Sequence, residues 1–276
     1  MLRGLYYLRR SFPQVVERAL TRCWYHYLSR MDREGNMLFM NYGWADLDPA
    51  APQIPLDAQD EANRYCIQLY HHVAGAVDLA GLDVLEVGSG RGGGASYIAR
   101  CLKPRSMVGL DITYDAIRFC NSRYHIPNLS FVHGDAESLP FDAGSFDAVV
   151  NIESSHCYRS MGRFLAGVCR VLRPNGYFLF ADHRETGEFD ALQGQLRNSG
   201  LTLLHEQTIT LNVLRALDLD NARKLKLIRA KVPEALQGIF CEFAGMTGTR
   251  GVYARFTRGD KEYFSFVLQK PGRPPA

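Results

Sequence analysis

The chain has 276 residues, 46% of them hydrophobic, which is enough to bury one substantial core, or one core with a cap. Its 32 basic and 29 acidic side chains leave a formal charge of +3, a balance too even to build the clustered basic face that nucleic-acid binding requires. Seven cysteines without a CxxC pair argue for a reduced, cytoplasmic setting and against a zinc site. No stretch reaches the ~18–20 apolar residues of a membrane span, and no secretory signal is expected.

Residues 2–30 mix Leu, Phe, Tyr and Trp24 with Arg3, Arg9, Arg10, Arg18, Arg22 and Arg30. Such a segment fits a lid helix with a solvated arginine face, or a helix in peripheral contact with an anionic membrane surface. A turn-rich stretch follows from Asp46 to Asp57, with Pro49, Pro52 and Pro55. Asp60 to His72 reads as the helix leading into the sheet. His71 and His72 are adjacent there, so they face different ways and make poor joint ligands.

From residue 81 the pattern changes. Short apolar runs at Val84–Val87, Met107–Leu110, Leu129–Val132, Phe146–Val150 and Tyr177–Ala181 predict strands. Gly94–Leu102, Tyr114–Tyr124 and Met161–Leu172 predict helices between them, and Pro174-Asn175-Gly176 predicts a turn. Alternation at this spacing implies right-handed βαβ units and a parallel sheet. Residues 211–246 carry apolar spacing in Leu211, Leu214, Leu217, Leu225 and Ile228, a helical insertion before a last strand at Tyr263–Leu268. The C-terminal part is expected to close in a hairpin and a Pro-rich tail. The whole chain is one domain: 1–80 an N-terminal helical lid, 81–183 a ligand-binding core, 211–246 a cap.

The run Glu86-Val87-Gly88-Ser89-Gly90-Arg91-Gly92-Gly93-Gly94 lies between a strand and a helix. Glycines there admit positive φ and let backbone approach a ligand, and the helix N-terminus beyond supplies free N–H groups. Asp111 ends the next strand about 20 residues on, where a carboxylate can accept both ribose hydroxyls. Gly134-Asp135-Ala136 follows the third strand. After the fourth strand stands Asn151-Ile152-Glu153-Ser154-Ser155-His156-Cys157-Tyr158, dense in polar side chains where a substrate cavity should open.

Taken together, Glu-Val-Gly-Ser-Gly, Gly-Leu-Asp111, Gly-Asp135-Ala-Glu-Ser-Leu-Pro-Phe, Ser-Phe-Asp147 and Val-Leu-Arg-Pro-Asn-Gly-Tyr resemble the successive motifs of class I methyltransferases. The resemblance implies a doubly wound, mostly parallel seven-stranded α/β sheet, Rossmann-like, with a helical N-terminal lid and the cap before the last strand. It implies S-adenosyl-L-methionine as cofactor and S-adenosyl-L-homocysteine as product. By it, Gly88 and Gly90 approach the amino-acid part of the cofactor, and Glu86 and Ser89 are counted among the cofactor-binding residues. Asp111 binds ribose with Ile112 beside it, Asp135 and Ala136 take the adenine, and Asn151 faces the sulfonium. Met40-Asn41-Tyr42-Gly43-Trp44 resembles an element that closes over the cofactor, with Tyr42 and Trp44 as its aromatic faces. A nicotinamide-binding domain leaves Asp135 and the Arg-Pro-Asn-Gly turn without a role. A cofactor-binding scaffold without turnover is the alternative from a different class.

The stretches Asn41–Trp44, Pro55–Arg64, Gly92–Tyr97 and Glu153–Tyr158 further resemble the mycobacterial-type phthiotriol/phenolphthiotriol dimycocerosate and fatty-acid O-methyltransferases. That implies an O-methyltransferase acting on a fatty-acid carboxylate or a lipid hydroxyl. A natural-product enzyme acting on a polyketide or sterol-like acceptor is the runner-up. For a hydroxyl the enzyme must remove a proton, and histidine suits that near neutral pH. His156 is the first candidate base and His183 the second, with Glu153 orienting His156 or contacting the cofactor. A carboxylate needs no base, and His156 would then only position it. Related metal-dependent enzymes place an acid where Asn151 stands, so no metal is expected.

Overall fold

The computed structural model describes residues 37–272; the arginine-rich segment 2–30 and the end of the Pro-rich tail lie outside them. Seven strands form one sheet: β1 (Asp83–Val87), β2 (Ser106–Asp111), β3 (Leu129–His133), β4 (Phe146–Ile152), β5 (Leu172–Glu185), β6 (Thr202–Thr208) and β7 (Lys261–Gln269). Their order is β3-β2-β1-β4-β5-β7-β6. The pairings from β3 through β5 are parallel, and β7 runs antiparallel to both β5 and β6. The doubly wound sheet expected from the βαβ alternation is therefore present.

Helices cover both faces, which a parallel sheet requires. They are α1 (Arg64–Ala74), α2 (Gly93–Cys101), α3 (Tyr114–Arg123), α4 (Met161–Val171), α5 (Phe189–Arg197), α6 (Thr210–Lys231), α7 (Glu234–Phe243) and α8 (Val252–Arg258). Side chains alternate between the faces along each strand. Val84, Val150 and Leu179 pack with Ile67 and Val73 of α1, Ile98 of α2 and Val213 of α6. Leu85, Val149, Phe178 and Phe180 pack with Phe164 and Val168 of α4 and Leu192 of α5. Among the described residues, no helix is long and apolar enough to cross a membrane.

Two local expectations are corrected. Pro174-Asn175-Gly176 does not reverse the chain but lies inside β5. Asn175 takes a left-handed φ of 65°, and the register against β4 shifts between Phe146 and Ala148. Asn175 N–H donates to Lys270 O and Lys270 N–H to Gly176 O, so the pairing of the neighbouring segment carries β5 through its bulge. The expected terminal hairpin is also absent among the described residues. β6 and β7 do pair antiparallel, but α6, α7 and α8 lie between them in sequence. The helices between β6 and β7 thus run from Thr210 to Arg258, and the insertion read at 211–246 from apolar spacing lies within that span.

Phe180 is fully buried, stacked between Phe178 at 5.3 Å and Phe266 at 5.7 Å. Phe180→Ala should cost about 3–5 kcal/mol. Urea unfolding measures it; a loss below about 1 kcal/mol would mean that this face of the sheet is not close-packed.

Candidate active site

The strand order reverses between β1 and β4, and a crevice opens there at the carboxyl ends of the strands. It holds a cavity of about 550 Å³, within the ~300–1,000 Å³ of small-molecule sites. The glycine loop forms its floor. Gly88 has φ of 80°, and a Cβ there would sit 2.3 Å from Ser154 Oγ. Gly94 is required by close approach instead: a Cβ would fall 2.0 Å from the Tyr70 ring. The Asp111 carboxylate accepts from Gly90 N–H at 2.8 Å and Thr113 N–H at 2.8 Å, which ties the loop to the end of β2. Each carboxylate oxygen keeps a second lone pair for a ligand hydroxyl.

Gly88, Ser89, Gly90, Asp111, Ile112, Asp135, Ala136 and Glu153 all line this cavity. Ile112 is 52% exposed at its rim, a large apolar surface suited to covering a planar base. Asn41 lines the wall with its buried Oδ1 lacking a protein partner. These features fit a nucleoside joined to an amino acid. Other expected residues lie elsewhere. Glu86 is buried beneath the loop and accepts from Tyr70 O–H at 2.6 Å. Asn151 is a strut: its Nδ2 donates to Val87 O at 2.8 Å and lies 2.7 Å from Ser154 Oγ and 2.9 Å from Tyr158 Oη. Leu38 to Asn41 form the wall, whereas Tyr42 lines two neighbouring cavities and Trp44 stacks on His72, 4.8 Å away.

His156 and His183 line a second cavity of about 300 Å³. It adjoins the first at Cys157 and Tyr158, which line both. The two imidazoles stack at 4.4 Å. Asp182, in the last part of β5, organises this region. It accepts from Ser155 Oγ at 2.6 Å, His156 N–H at 2.9 Å, His156 Nδ1 at 2.8 Å and its neighbour His183 N–H at 2.8 Å. Because a carboxylate only accepts, His156 Nδ1 must carry a proton. Burial opposes charge on His156, but Asp182 overcomes that and holds its pKa above the ordinary value. His183 is the reverse case. Burial, then Lys261 and His156, push its pKa well down, and Lys261 Nζ lies 3.4 Å from its Nδ1. Lys261 can only donate, so neutral His183 holds its proton on Nε2.

Glu153 lies between the cavities, with an unusual φ of 48°. Its Oε1 accepts from Tyr42 N–H at 2.7 Å and Tyr263 O–H at 3.0 Å. Burial pushes its pKa up to about 7, against the lowering by Tyr42 and Tyr263. Tyr263 and Lys261 escaped the sequence reading because β7 follows β5 only after the whole cap. Asp182 left a readable signal, an acid closing an otherwise apolar strand.

Glu86 also titrates near 7, chiefly because it is buried. An acid raised in the folded state contributes stability below about pH 4.5 that is lost as pH rises through 7. Glu86→Gln should therefore remove about 2–3 kcal/mol of stability loss between pH 5 and 8. Thermal melts across that range test it; parallel curves for the two proteins would mean that Glu86 ionises freely.

Residues 85–180 match the methyltransferase domain family. The chain is 43% identical over 243 residues to the phthiotriol/phenolphthiotriol dimycocerosates methyltransferase of Mycobacterium tuberculosis, covering 88% of this chain and 89% of that one. It is 40% identical over 247 residues to the fatty-acid O-methyltransferase of Mycolicibacterium smegmatis, covering 90% and 88%. In fold it is similar to a geranyl diphosphate methyltransferase solved with S-adenosylmethionine, at a TM-score of 0.61 and 17% identity, over 85% of this chain and 100% of that one. The chain belongs to the methyltransferase family of these mycobacterial relatives.

Proposed function

We propose that this methyltransferase transfers the methyl group to an oxygen of a long-chain lipid. The observation that carries the reading is a third, mostly apolar cavity of about 130 Å³ under the cap. Leu227 and Ile228 of α6 and Phe240 and Phe243 of α7 line it, and it shares Phe39, Met40, Asn41 and Arg91 with the cofactor cavity. An alkyl chain held there lies beside the donor site and out of water. The names of the mycobacterial relatives support the same acceptor class.

S-adenosylmethionine, as the donor, would supply an electrophilic methyl group on a sulfonium. The chain's own residues hold and orient: Asp111 would accept from the ribose hydroxyls, and Asp135 with the Ala136 N–H would hold the adenine. The glycine loop lets the backbone close on the amino-acid part. Asn151 holds Val87, Ser154 and Tyr158 together, so the wall nearest the acceptor is stiff. The cap excludes water and keeps the acceptor in line for direct displacement.

Asp111→Ala should weaken S-adenosylhomocysteine binding at least tenfold, about 1.4 kcal/mol, in calorimetry. Unchanged affinity would remove Asp111 from the ribose site. The acceptor class is tested by transfer of labelled methyl to fatty acids, hydroxylated lipids and polyketide phenols. Methylation confined to the phenols would replace the lipid reading with the natural-product one.

A further inference from the structure

The three cavities are joined. Cys157 and Tyr158 line both the cofactor cavity and the second one, and Tyr42 and Phe243 line both the second and the apolar one. An acceptor reaching the donor thus meets an apolar slot on one side and a polar chamber on the other. The polar chamber is rich in cations: His156, Arg159, Arg184 and Lys261 line it. Two carboxylates, Glu185 and Glu188, lie on the same wall, and Glu185 is shared between Arg255 of α8 and Lys261, whose Nζ lies 3.6 Å from its Oε1.

His156, Asp182 and His183 bring possible metal-ligand atoms within 4.8 Å of one another. The surrounding charge argues against a cation there. Asp182 already accepts from four donors, and Arg184 Nη1 stands 3.2 Å from its Oδ2. Lys261 lies against His183. Further positive charge would meet Arg184, Lys261 and a His156 that Asp182 favours as imidazolium. An anion meets none of that repulsion. His156 is 18% exposed in the chamber wall, with its Nδ1 held by Asp182 and the Cys157 side chain beside the ring.

We propose that His156, Arg184 and Lys261 form a head-group subsite for the carboxylate of the acceptor, making this enzyme selective for long-chain acids over alcohols. The inference rests on the lipid reading above and narrows it. One carboxylate oxygen is held by His156, and the other attacks. Its lone pair forms the new C–O bond as the C–S bond breaks, and that bonding pair goes to sulfur. The products are the methyl ester and S-adenosylhomocysteine. No proton leaves the acceptor, so no base is needed. An alcohol would bring no charge to pair with the cations of the chamber wall. His156 is accordingly a binding group here rather than the base that its residue type suggests.

The test uses the full chain saturated with S-adenosylhomocysteine, titrated calorimetrically with dodecanoate and with 1-dodecanol, alongside labelled methyl transfer to each lipid. Dodecanoate should bind and yield its methyl ester, with no methyl ether from dodecanol. His156→Gln and Lys261→Met should each weaken dodecanoate binding about tenfold or more, as expected for a lost charged hydrogen bond. If Lys261→Met fails to fold, His156→Gln and the wild-type comparison still decide. Methyl ether from dodecanol with dodecanoate untouched would overturn the carboxylate subsite and leave the lipid reading standing. So would unchanged dodecanoate binding in folded variants. Failure of both lipids to bind and react would overturn both.

Discussion

A sheet covered by helices on both faces has no free face for chemistry. Only its strand ends can carry polar groups that reach a ligand, and in an open parallel sheet the carboxyl ends gather at one edge. In this chain β1 and β4 are neighbours whose connections leave in opposite directions. The crevice between them therefore collects the loops after β1, β2, β3, β4 and β5. The glycine loop, Asp111, Asp135, Glu153 and Asp182 come from these five loops and strand ends in turn. They are far apart in the chain and adjacent in space because the sheet leaves them nowhere else to go.

Two of those carboxylates show how the environment sets the charge. Glu153 follows β4 and Asp182 lies in the last part of the neighbouring β5, and both are buried. Glu153 is contacted at Oε1 by neutral donors, the Tyr42 amide and the Tyr263 hydroxyl, and burial drives it toward the protonated form. Asp182 suffers the same burial, but the charges of His156 and Arg184 hold its pKa well below the ordinary range. One acid tends toward neutrality and the next is locked as an anion. The charge on Asp182 in turn favours the protonated form of His156.

The cap acts on the same edge of the sheet. α6 and α7 supply the apolar slot, while α8 places Arg255 against Glu185 at the end of β5. Tyr42 and Phe243 stand between slot and polar chamber. Tyr42 also donates its backbone N–H to Glu153, so the segment entering the structure is fastened to the strand end nearest the donor cavity.

The parallel strands and the glycine-loop side of the crevice were legible in the sequence. The reason is that both are local: short apolar runs, a glycine loop between strand and helix, and an acid closing the next strand are complete within short windows. Gly88, Gly90, Asp111, Asp135 and Ala136, which line the first cavity, were singled out on that basis. The acceptor side is non-local. Lys261 and Tyr263 reach His183 and Glu153 only because β7 inserts beside β5 after three helices. The sequence did not show that Asn151 Nδ2 would bind Val87 O, since only packing shows which atoms a buried amide meets. Nor did it show that His156, read as a base or a positioning group, would have its Nδ1 on Asp182 at 2.8 Å, which fixes a proton there. Residue type suggested the chemistry, but burial and neighbouring charge, which the fold alone supplies, decided the state in which each group stands.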